Sequence, residues 1–505
     1  MSVHATLAAV TRPARPAADA ASPDPDTLGM SADDLAAATG GRLLHRGSRA
    51  ARRGAVDSRL VEPGMLFVAL PGERTDGHHY LADAAEAGAT AMLVGREPDL
   101  TAGEAPLGAL GDVTVVLVAD PLRALQAVAA AWRSRFSPLV VGVTGSIAKT
   151  STKEAAAAVL GGRFATLRSE GNRNNEVGLP LTVLDLGPEH EALILEMGMY
   201  AGGEIRDLAA LARPSIGIVT TVQPVHLSRL GSIEAIEDAK AELVEALPAA
   251  VDGGVAVLNA DDARVRRMAA RTRARSITYG FRGDADVRAE AVASRGFEGM
   301  AFRLVAPAGS LEVAIPALGR LAVHNALAGA AAGLAAGMTL DEIAPGLAAS
   351  GSAPHRSAVH RAGGLTIVDD AYNASPGSVR AALEMLAGLP GRHVAVLGEM
   401  RELGDAHDAG HREVGEAAAR VVDLLVVVDG GTGRSAQLLV EGARAAGMAP
   451  DRVVVTDAGA AAGVLAGRPG LLRPGDVVLV KASRGAELEH VVEDLLALLG
   501  GALPA

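Results

Sequence analysis

The chain has 505 residues, 49% of them hydrophobic but only 2% aromatic, with 60 glycines, no cysteine and a formal charge of −12. A single core stops growing at roughly 250–300 residues, so several domains are required, and the aromatic-poor composition suits helices packed closely on sheets. The lack of cysteine excludes disulfides and thiolate metal sites, and the acidic balance disfavours nucleic acid or an anionic membrane as a partner, since both reward a basic face.

Residues 1–27, rich in Ala, Pro and Asp, read as a disordered tail whose apolar run is too short for a signal peptide. No apolar stretch reaches the roughly 20 residues of a spanning helix, and the expectation is a soluble, cytoplasmic protein. Over 28–112, "GMLFVAL", a polar Gly-rich turn, a helix and a second strand make a small α/β unit. "PLRALQAVAAAWRSRF" is apolar at helical spacing and leads into the strand "PLVVGVTG". "ALILEMG", "SIGIVTTV" and "GVAVLNADD" continue as a mostly parallel, covered sheet within 113–351. Short alternating runs from Thr278 to about Leu318 predict a hairpin layer, and "HNALAGAAAGLAAG" returns to helix. After a linker around "SGSAPHRS", the runs "LTIVDD", "HVAVLGEM", "DLLVVVDG", "DRVVVTD" and "DVVLVKAS" alternate with helical stretches over 352–505, as in a doubly wound domain. The predicted fold class is α/β in three domains.

The stretch "VVGVTGSIAKTSTK" combines a strand, a tight turn and a helix starting at Lys149. That arrangement aims backbone N–H groups and the positive helix end at one point, where a polyphosphate can bind. Lys149 would neutralise the β- and γ-phosphates and the Thr150 hydroxyl would bind Mg2+. Against the pattern G-x-x-x-x-G-K-[ST], Val143 and Ala148 replace both glycines, so on residues alone the stretch is either a nucleotide site or an ordinary buried turn. Alanine before the lysine penalises a positive φ by roughly 1–2 kcal/mol. Glu196 ends one buried strand, His226 follows the next, and "EGNRNNEVGLP" supplies Asn174 and Asn175. Singly these are a strand-end carboxylate, a loop histidine and turn asparagines; jointly, at the carboxyl ends of neighbouring parallel strands, they predict a metal and phosphate pocket.

The order of motifs resembles that of the Mur ligases, the ATP-dependent enzymes that build the peptidoglycan stem peptide. "VDSR…PGMLFVALPGERTDGHHY", "TGSIAKTSTK", "GNRNNEVGLPLTVL", "HNALA", "DDAYNASPGSVRAAL" and "LGEMRELG" carry the resemblance, which covers nearly everything after the tail. It implies a small α/β UDP-sugar domain, a central P-loop-like ATPase domain and a Rossmann-like carboxy-terminal domain. The family loop already lacks the first glycine, so only Ala148 departs from it.

By matching position, the resemblance implies that Gly145, Ser146, Lys149, Thr150 and Ser151 hold the phosphates. Thr150, Glu196, His226 and Lys240 would form the Mg2+ site. Asn325, Arg356 and Asp370 would contact adenine, phosphate and ribose of ATP. Asp57, Ser58, Arg59 and Asp76 would meet the UDP-muramoyl end, and Asn174, Asn175, Tyr372 and Asn373 the remaining substrate. Read as a helix residue alone, Lys240 in "SIEAIEDAKAEL" belongs in solvent; the resemblance implies a carbamate on it, which needs a neutral and therefore partly buried amine. Lys481 and Arg484 in "KASRGAE" either face the cleft or are solvated charges after a strand.

"DDAYNASPGS", without a D-x-P-R motif, favours the step that adds D-alanyl-D-alanine to UDP-N-acetylmuramoyl-tripeptide through an acyl phosphate, by a monomer. The alternatives are the third-residue-adding ligase, a folylpolyglutamate-type ligase, and a protein that binds nucleotide or UDP-sugar without turnover. Ala148 is the only support for the last.

Overall fold

The computed structural model describes residues 28–72, 75–99, 104, 106–225, 227–431 and 433–500. The expected tail at 1–27 lies outside the described residues. Three sheets follow one another along the chain, of five, nine and six strands.

In the first sheet, Gly54–Ala55, Leu66–Val68, Ala91–Val94 and Thr114–Leu117 run parallel, and Arg42–His45 closes the edge antiparallel to Thr114–Leu117. The sheet therefore extends past residue 112, where the sequence reading ended this unit. Asp112 sits in the turn before the last strand, its carboxylate accepting from the amide and hydroxyl of Ser48. Leu66, Val68, Leu93 and Val116 on one face pack with Leu125, Val128 and Trp132 of the helix Pro121–Arg133. That helix starts where predicted, with Pro121 at its first turn and the Asp120 side chain capping Leu122 and Arg123.

The central sheet has seven parallel strands from Thr166–Arg168 to Val287–Ser294, the last of which opens an antiparallel layer with Met300–Ala306 and Gly309–Ile315 in the region predicted to hold hairpins. Its inner strands Leu139–Thr144, Ala192–Glu196, Ile216–Val219 and Val255–Asn259 are almost wholly buried, because helices cover both faces. Val141, Val143, Ile194, Ile216 and Val257 face the helices Lys149–Gly161 and Gly319–Ala335. Val140, Leu193, Leu195 and Leu258 face Pro121–Arg133, Glu204–Ala212 and Ile233–Glu245.

The two helices on the first face approach so closely that a Cβ at Gly329 would lie 3.0 Å from the carbonyl carbon and oxygen of Ala155. Small residues let the backbones come together and bury an alanine-rich seam, which is where much of the aromatic-poor core lies.

In the third sheet, the five strands read from the sequence are all present. Leu365–Asp369, Asp476–Lys481, Arg392–Leu397, Leu424–Asp429 and Val453–Asp457 are parallel neighbours in that order. An unpredicted strand, Ala358–Ala362, pairs antiparallel along the edge next to Leu365–Asp369. Its "AVHRA" has no apolar run, because only one side of an edge strand meets the core. Among the described residues no helix is long and apolar enough to cross a membrane.

Candidate active site

The carboxyl ends of the central strands and those of the third sheet meet at one open cleft of about 500 Å³. Its floor is the turn between the strand ending at Thr144 and the helix Lys149–Gly161. Gly145 has φ +147°, and a Cβ there would lie 1.8 Å from Thr220 Oγ1, so only glycine fits against the neighbouring strand end. The turn is fastened to that strand end by five bonds. Ser146 N donates to Thr221 O at 2.8 Å and Ile147 N to Thr221 Oγ1 at 3.2 Å, while Thr220 Oγ1 donates to Ile147 O at 2.6 Å. Ser146 Oγ donates to Gln223 O at 3.0 Å and accepts from Gln223 N at 2.9 Å.

Gly145 and Ser146, both expected to hold phosphate, thus have their own structural duties: the glycine gives the turn its shape and the serine ties it down. The groups left to meet an anion are further on. The first helical bond at this end runs from Thr152 N to Ala148 O, which leaves the amides of Lys149, Thr150 and Ser151 without helical partners at the positive helix end.

Ala148 occupies the left-handed region, φ +67° and ψ +11°, as the residue before the helix. The motif's glycine is therefore wanted here for its backbone, and the alanine bears the strain. Ala148→Gly is expected to raise stability by about 1 kcal/mol and to keep ATP-dependent turnover, read as a small rise in melting temperature beside an unchanged or higher rate. A fall in stability would mean that the turn relaxes to negative φ in solution.

Thr150, Glu196, Asn174 and Arg356 form a linked set. Thr150 Oγ1 donates to Glu196 Oε2 at 2.7 Å and accepts from Arg356 Nη2 at 2.9 Å. Asn174 Nδ2 donates to Glu196 Oε1 at 2.8 Å, and Asn174 O accepts from Gly198 N at 2.7 Å. Glu196 is 3% exposed and, among the described residues, has no cation within ion-pair distance. A buried carboxylate beside a hydroxyl is an all-oxygen donor pair suited to a small hard cation such as Mg2+. No cluster of three His, Asp or Glu side chains occurs among the described residues; His226, expected as a ligand, lies outside them.

Lys149 Nζ donates to Gly145 O at 2.9 Å. Burial holds its pKa below the ordinary lysine value, with Glu196 opposing and Arg356 adding to the shift. Lys240 departs from the solvated helix lysine that its sequence context suggests: it is 2% exposed, in the buried face of the helix Ile233–Glu245. Burial, and then the charge of Lys149, push its pKa well below the ordinary lysine value. It does not line the open cleft but lies within electrostatic reach of the phosphate loop from behind.

Across the cleft, Arg356 stacks its guanidinium 4.1 Å from the centre of the Tyr372 ring. Asp370, expected at the ribose, has both oxygens engaged: Oδ1 accepts from Ser357 N at 3.1 Å and Oδ2 from Lys481 Nζ at 2.6 Å. Lys481 also donates to Asn373 O at 2.8 Å, so it fastens the "DDAYN" turn from below. Asn325 accepts from Thr152 Oγ1 at 3.2 Å, which ties the helix after the hairpin layer to the phosphate-loop helix. Asn175 accepts from the Gly178 amide at 2.9 Å and lines the cleft beside Asn174.

The first-domain candidates are elsewhere. Asp57 accepts from the Arg59 amide and pairs with its guanidinium at 2.6 Å, with Ser58 in the same short turn. Asp76 caps the turn Gly77–Tyr80 and contacts His78 Nδ1 at 2.6 Å and Arg96 at 3.2 Å; its pKa is about 2, held down against burial by the His78 amide and ring and by Arg96. None of these four lines the cleft.

Sequence reasoning missed three residues here. Lys153, fully buried, donates to Ser169 O, and Ser169 Oγ accepts from Glu196 N at 3.2 Å, so this lysine steadies the backbone of the strand end that carries Glu196. Its signal was present, since it lies one helical turn after Lys149 on the same face. Arg401 and Ser378 also line the cleft; they stand on loop and helix starts where residue type alone marks nothing.

Three family profiles match the chain: "Mur ligase family, catalytic domain" over 55–133, "Mur ligase middle domain" over 143–333, and "Mur ligase, glutamate ligase domain" over 355–484. A UDP-N-acetylmuramoyl-tripeptide–D-alanyl-D-alanine ligase of Mycobacterium tuberculosis strain H37Rv is 41% identical over 473 residues, 87% of this chain and 91% of the relative. Among solved structures, MurF from Acinetobacter baumannii superposes with a TM-score of 0.81 at 29% identity, covering 92% of this chain and 98% of the other. MurF ligase from Thermotoga maritima in complex with ADP gives 0.75 at 29% identity, covering 89% and 98%. With its three sheets, its phosphate loop and these relatives spanning most of its length, the chain belongs to the Mur ligase family.

Proposed function

We propose that the chain joins D-alanyl-D-alanine to UDP-N-acetylmuramoyl-tripeptide at the expense of ATP, a step of peptidoglycan precursor synthesis in the cytoplasm. The observation that carries the chemistry is the hydrogen bond from Arg356 to Thr150, which sets a cation of the third sheet's domain on the phosphate side of the central domain. The relatives that cover the chain carry the name of this ligase, and "DDAYNASPGS" agrees with the dipeptide-adding step.

A carboxylate and an amine do not condense in water until the carboxylate becomes an acyl donor. One oxygen of the tripeptide's terminal carboxylate attacks the γ-phosphorus of ATP, and the bond to the bridging oxygen breaks with release of ADP. The amine of the dipeptide then attacks the acyl carbon, loses a proton, and expels inorganic phosphate. Phosphoryl transfer depends on positioning and charge neutralisation. Lys149, Arg356 and the free amides of Lys149, Thr150 and Ser151 provide these from this chain. Thr150 and Glu196 would hold Mg2+, which neutralises phosphate charge when bound. His226 and a carbamate on Lys240 would complete the ligand set; burial, and then the charge of Lys149, lower the Lys240 pKa and so favour the neutral amine that takes up carbon dioxide.

The first sheet's domain, with Asp57, Ser58, Arg59 and Asp76 on its surface turns, takes the UDP-muramoyl end. Asn174, Asn175, Tyr372 and Asn373 guide the peptide end through the cleft. The test is the mass of the product formed from ATP and UDP-muramoyl-tripeptide when D-alanyl-D-alanine, meso-diaminopimelate or L-lysine is offered. A dipeptide adduct with one ADP per product is expected. Preference for either amino acid would reassign the chain to the preceding step.

A further inference from the structure

The cleft holds five basic side chains, Lys149, Arg356, Arg401, Lys481 and Arg484. Four are committed. Lys149 and Arg356 belong to the phosphate loop, Lys481 is neutralised by Asp370 at 2.6 Å, and Arg401 pairs with Glu399 at 3.0 Å. Arg484 has no acidic partner among the described residues. Its Nη1 donates to the Tyr372 hydroxyl at 3.2 Å, and its guanidinium lies 5.3 Å from the centre of that ring. It stands exposed on the short turn Arg484–Ala486, directly after a strand whose own lysine is buried.

We propose that Arg484 is the anchor for the free carboxylate of the incoming dipeptide, and that it selects an acceptor that carries one. This rests on the ligase reading above. The geometry supports it through Tyr372. Arg356, on the phosphate side, and Arg484 flank the same ring at 4.1 and 5.3 Å from its centre, so their charges are separated by no more than the two distances together. An extended dipeptide spans about 7 Å from amine to carboxylate. An acceptor whose carboxylate sits on Arg484 therefore has its amine within reach of the carbonyl being activated beside Arg356. The planar guanidinium matches a carboxylate with two parallel bonds, and the Tyr372 hydroxyl, by accepting one N–H, fixes which edge is left free.

The experiment compares D-alanyl-D-alanine with D-alanyl-D-alaninamide, which keeps the nucleophilic amine and lacks the carboxylate, on the full-length protein with ATP, Mg2+ and UDP-muramoyl-tripeptide saturating. The native protein is expected to favour the dipeptide by about 10- to 100-fold in kcat/KM, through KM. Arg484→Ala is expected to use the dipeptide as poorly as the native protein uses the amide, with the amide's own rate and the KM for ATP unchanged. Arg484→Lys is expected to restore part of the preference. The unchanged amide rate reports that the variant is folded, which a merely structural role for Arg484 would not preserve. If Arg484→Ala or Arg484→Lys keeps the full native preference, or if the rise in KM falls on UDP-muramoyl-tripeptide instead, the proposal is wrong while the ligase reading stands. Native protein that adds neither acceptor overturns the reading and the proposal together.

Discussion

Lys149→Ala is expected to lower the rate of ATP-dependent turnover by about 10³-fold or more while leaving the protein folded. The lysine is the cation at the start of the phosphate-loop helix, held in place by its bond to Gly145 O and with Arg356 across from it. Charge that develops on the transferring phosphoryl group has few other fixed cations to meet. Loss of one such preorganised group costs about 10²- to 10³-fold, and cations placed on a phosphoryl transition state have been worth more. Stability should move the other way. A half-buried ammonium whose pKa is depressed by desolvation is disfavoured in the fold, so its removal is expected to leave the melting temperature unchanged or raised. The check is a single-turnover measurement of ADP beside a thermal scan. An active Lys149→Ala would remove the phosphate-loop assignment.

Lys240→Ala is expected to abolish most turnover, by about 10²-fold or more, and to regain part of it when a short carboxylate such as acetate is added. The side chain is buried and its ammonium form is opposed both by burial and by Lys149. A bare lysine there has a linkage consequence. The unfolded chain takes up its proton at the ordinary lysine pKa and the folded chain only at lower pH, so the folded state loses stability as the pH falls below the unfolded value. Conversion to a carbamate would replace that unfavourable cation with an anion that the charge of Lys149 favours. Stability of the native protein is therefore expected to rise with bicarbonate at fixed pH, an effect absent in Lys240→Ala. No rescue by carboxylates and no bicarbonate effect would leave Lys240 a buried structural lysine.

Much of the architecture could be read from the chain because parallel strands covered on both faces are continuous apolar runs. Leu139–Thr144, Ala192–Glu196 and four of the five strands after residue 364 announce themselves in this way, and Val453–Asp457, half open at the sheet edge, keeps an apolar run. What failed to announce itself was set by partners distant in sequence. Thr114–Leu117 joins the first sheet through strands at 91–94 and 42–45, which no local pattern specifies. The edge strand Ala358–Ala362 exists because Leu365–Asp369 offers it a ladder.

The same division holds at the site. Lys149, Thr150 and Glu196 were marked by the strand-turn-helix order and the carboxyl-end rule. The burial of Lys240 was invisible locally, because "IEDAKAEL" looks amphipathic and only the packing of that helix on the central sheet shows which face the lysine occupies. Asp370 is expected at a ribose by matching position, and its partner Lys481, more than a hundred residues on, is visible only in the fold. The penalty assigned to Ala148 depended on the sign of one φ, and the backbone gives it as +67°.

Activation of a carboxylate as an acyl phosphate is the chemistry proposed for this cleft. It is tested most directly by giving the protein UDP-muramoyl-tripeptide labelled with ¹⁸O in its terminal carboxylate, together with ATP, Mg2+ and D-alanyl-D-alanine, and by measuring the label in the inorganic phosphate released. One ¹⁸O in each phosphate, formed only when both substrates are present, is the predicted result. Phosphate free of label, or label recovered in AMP, would contradict it.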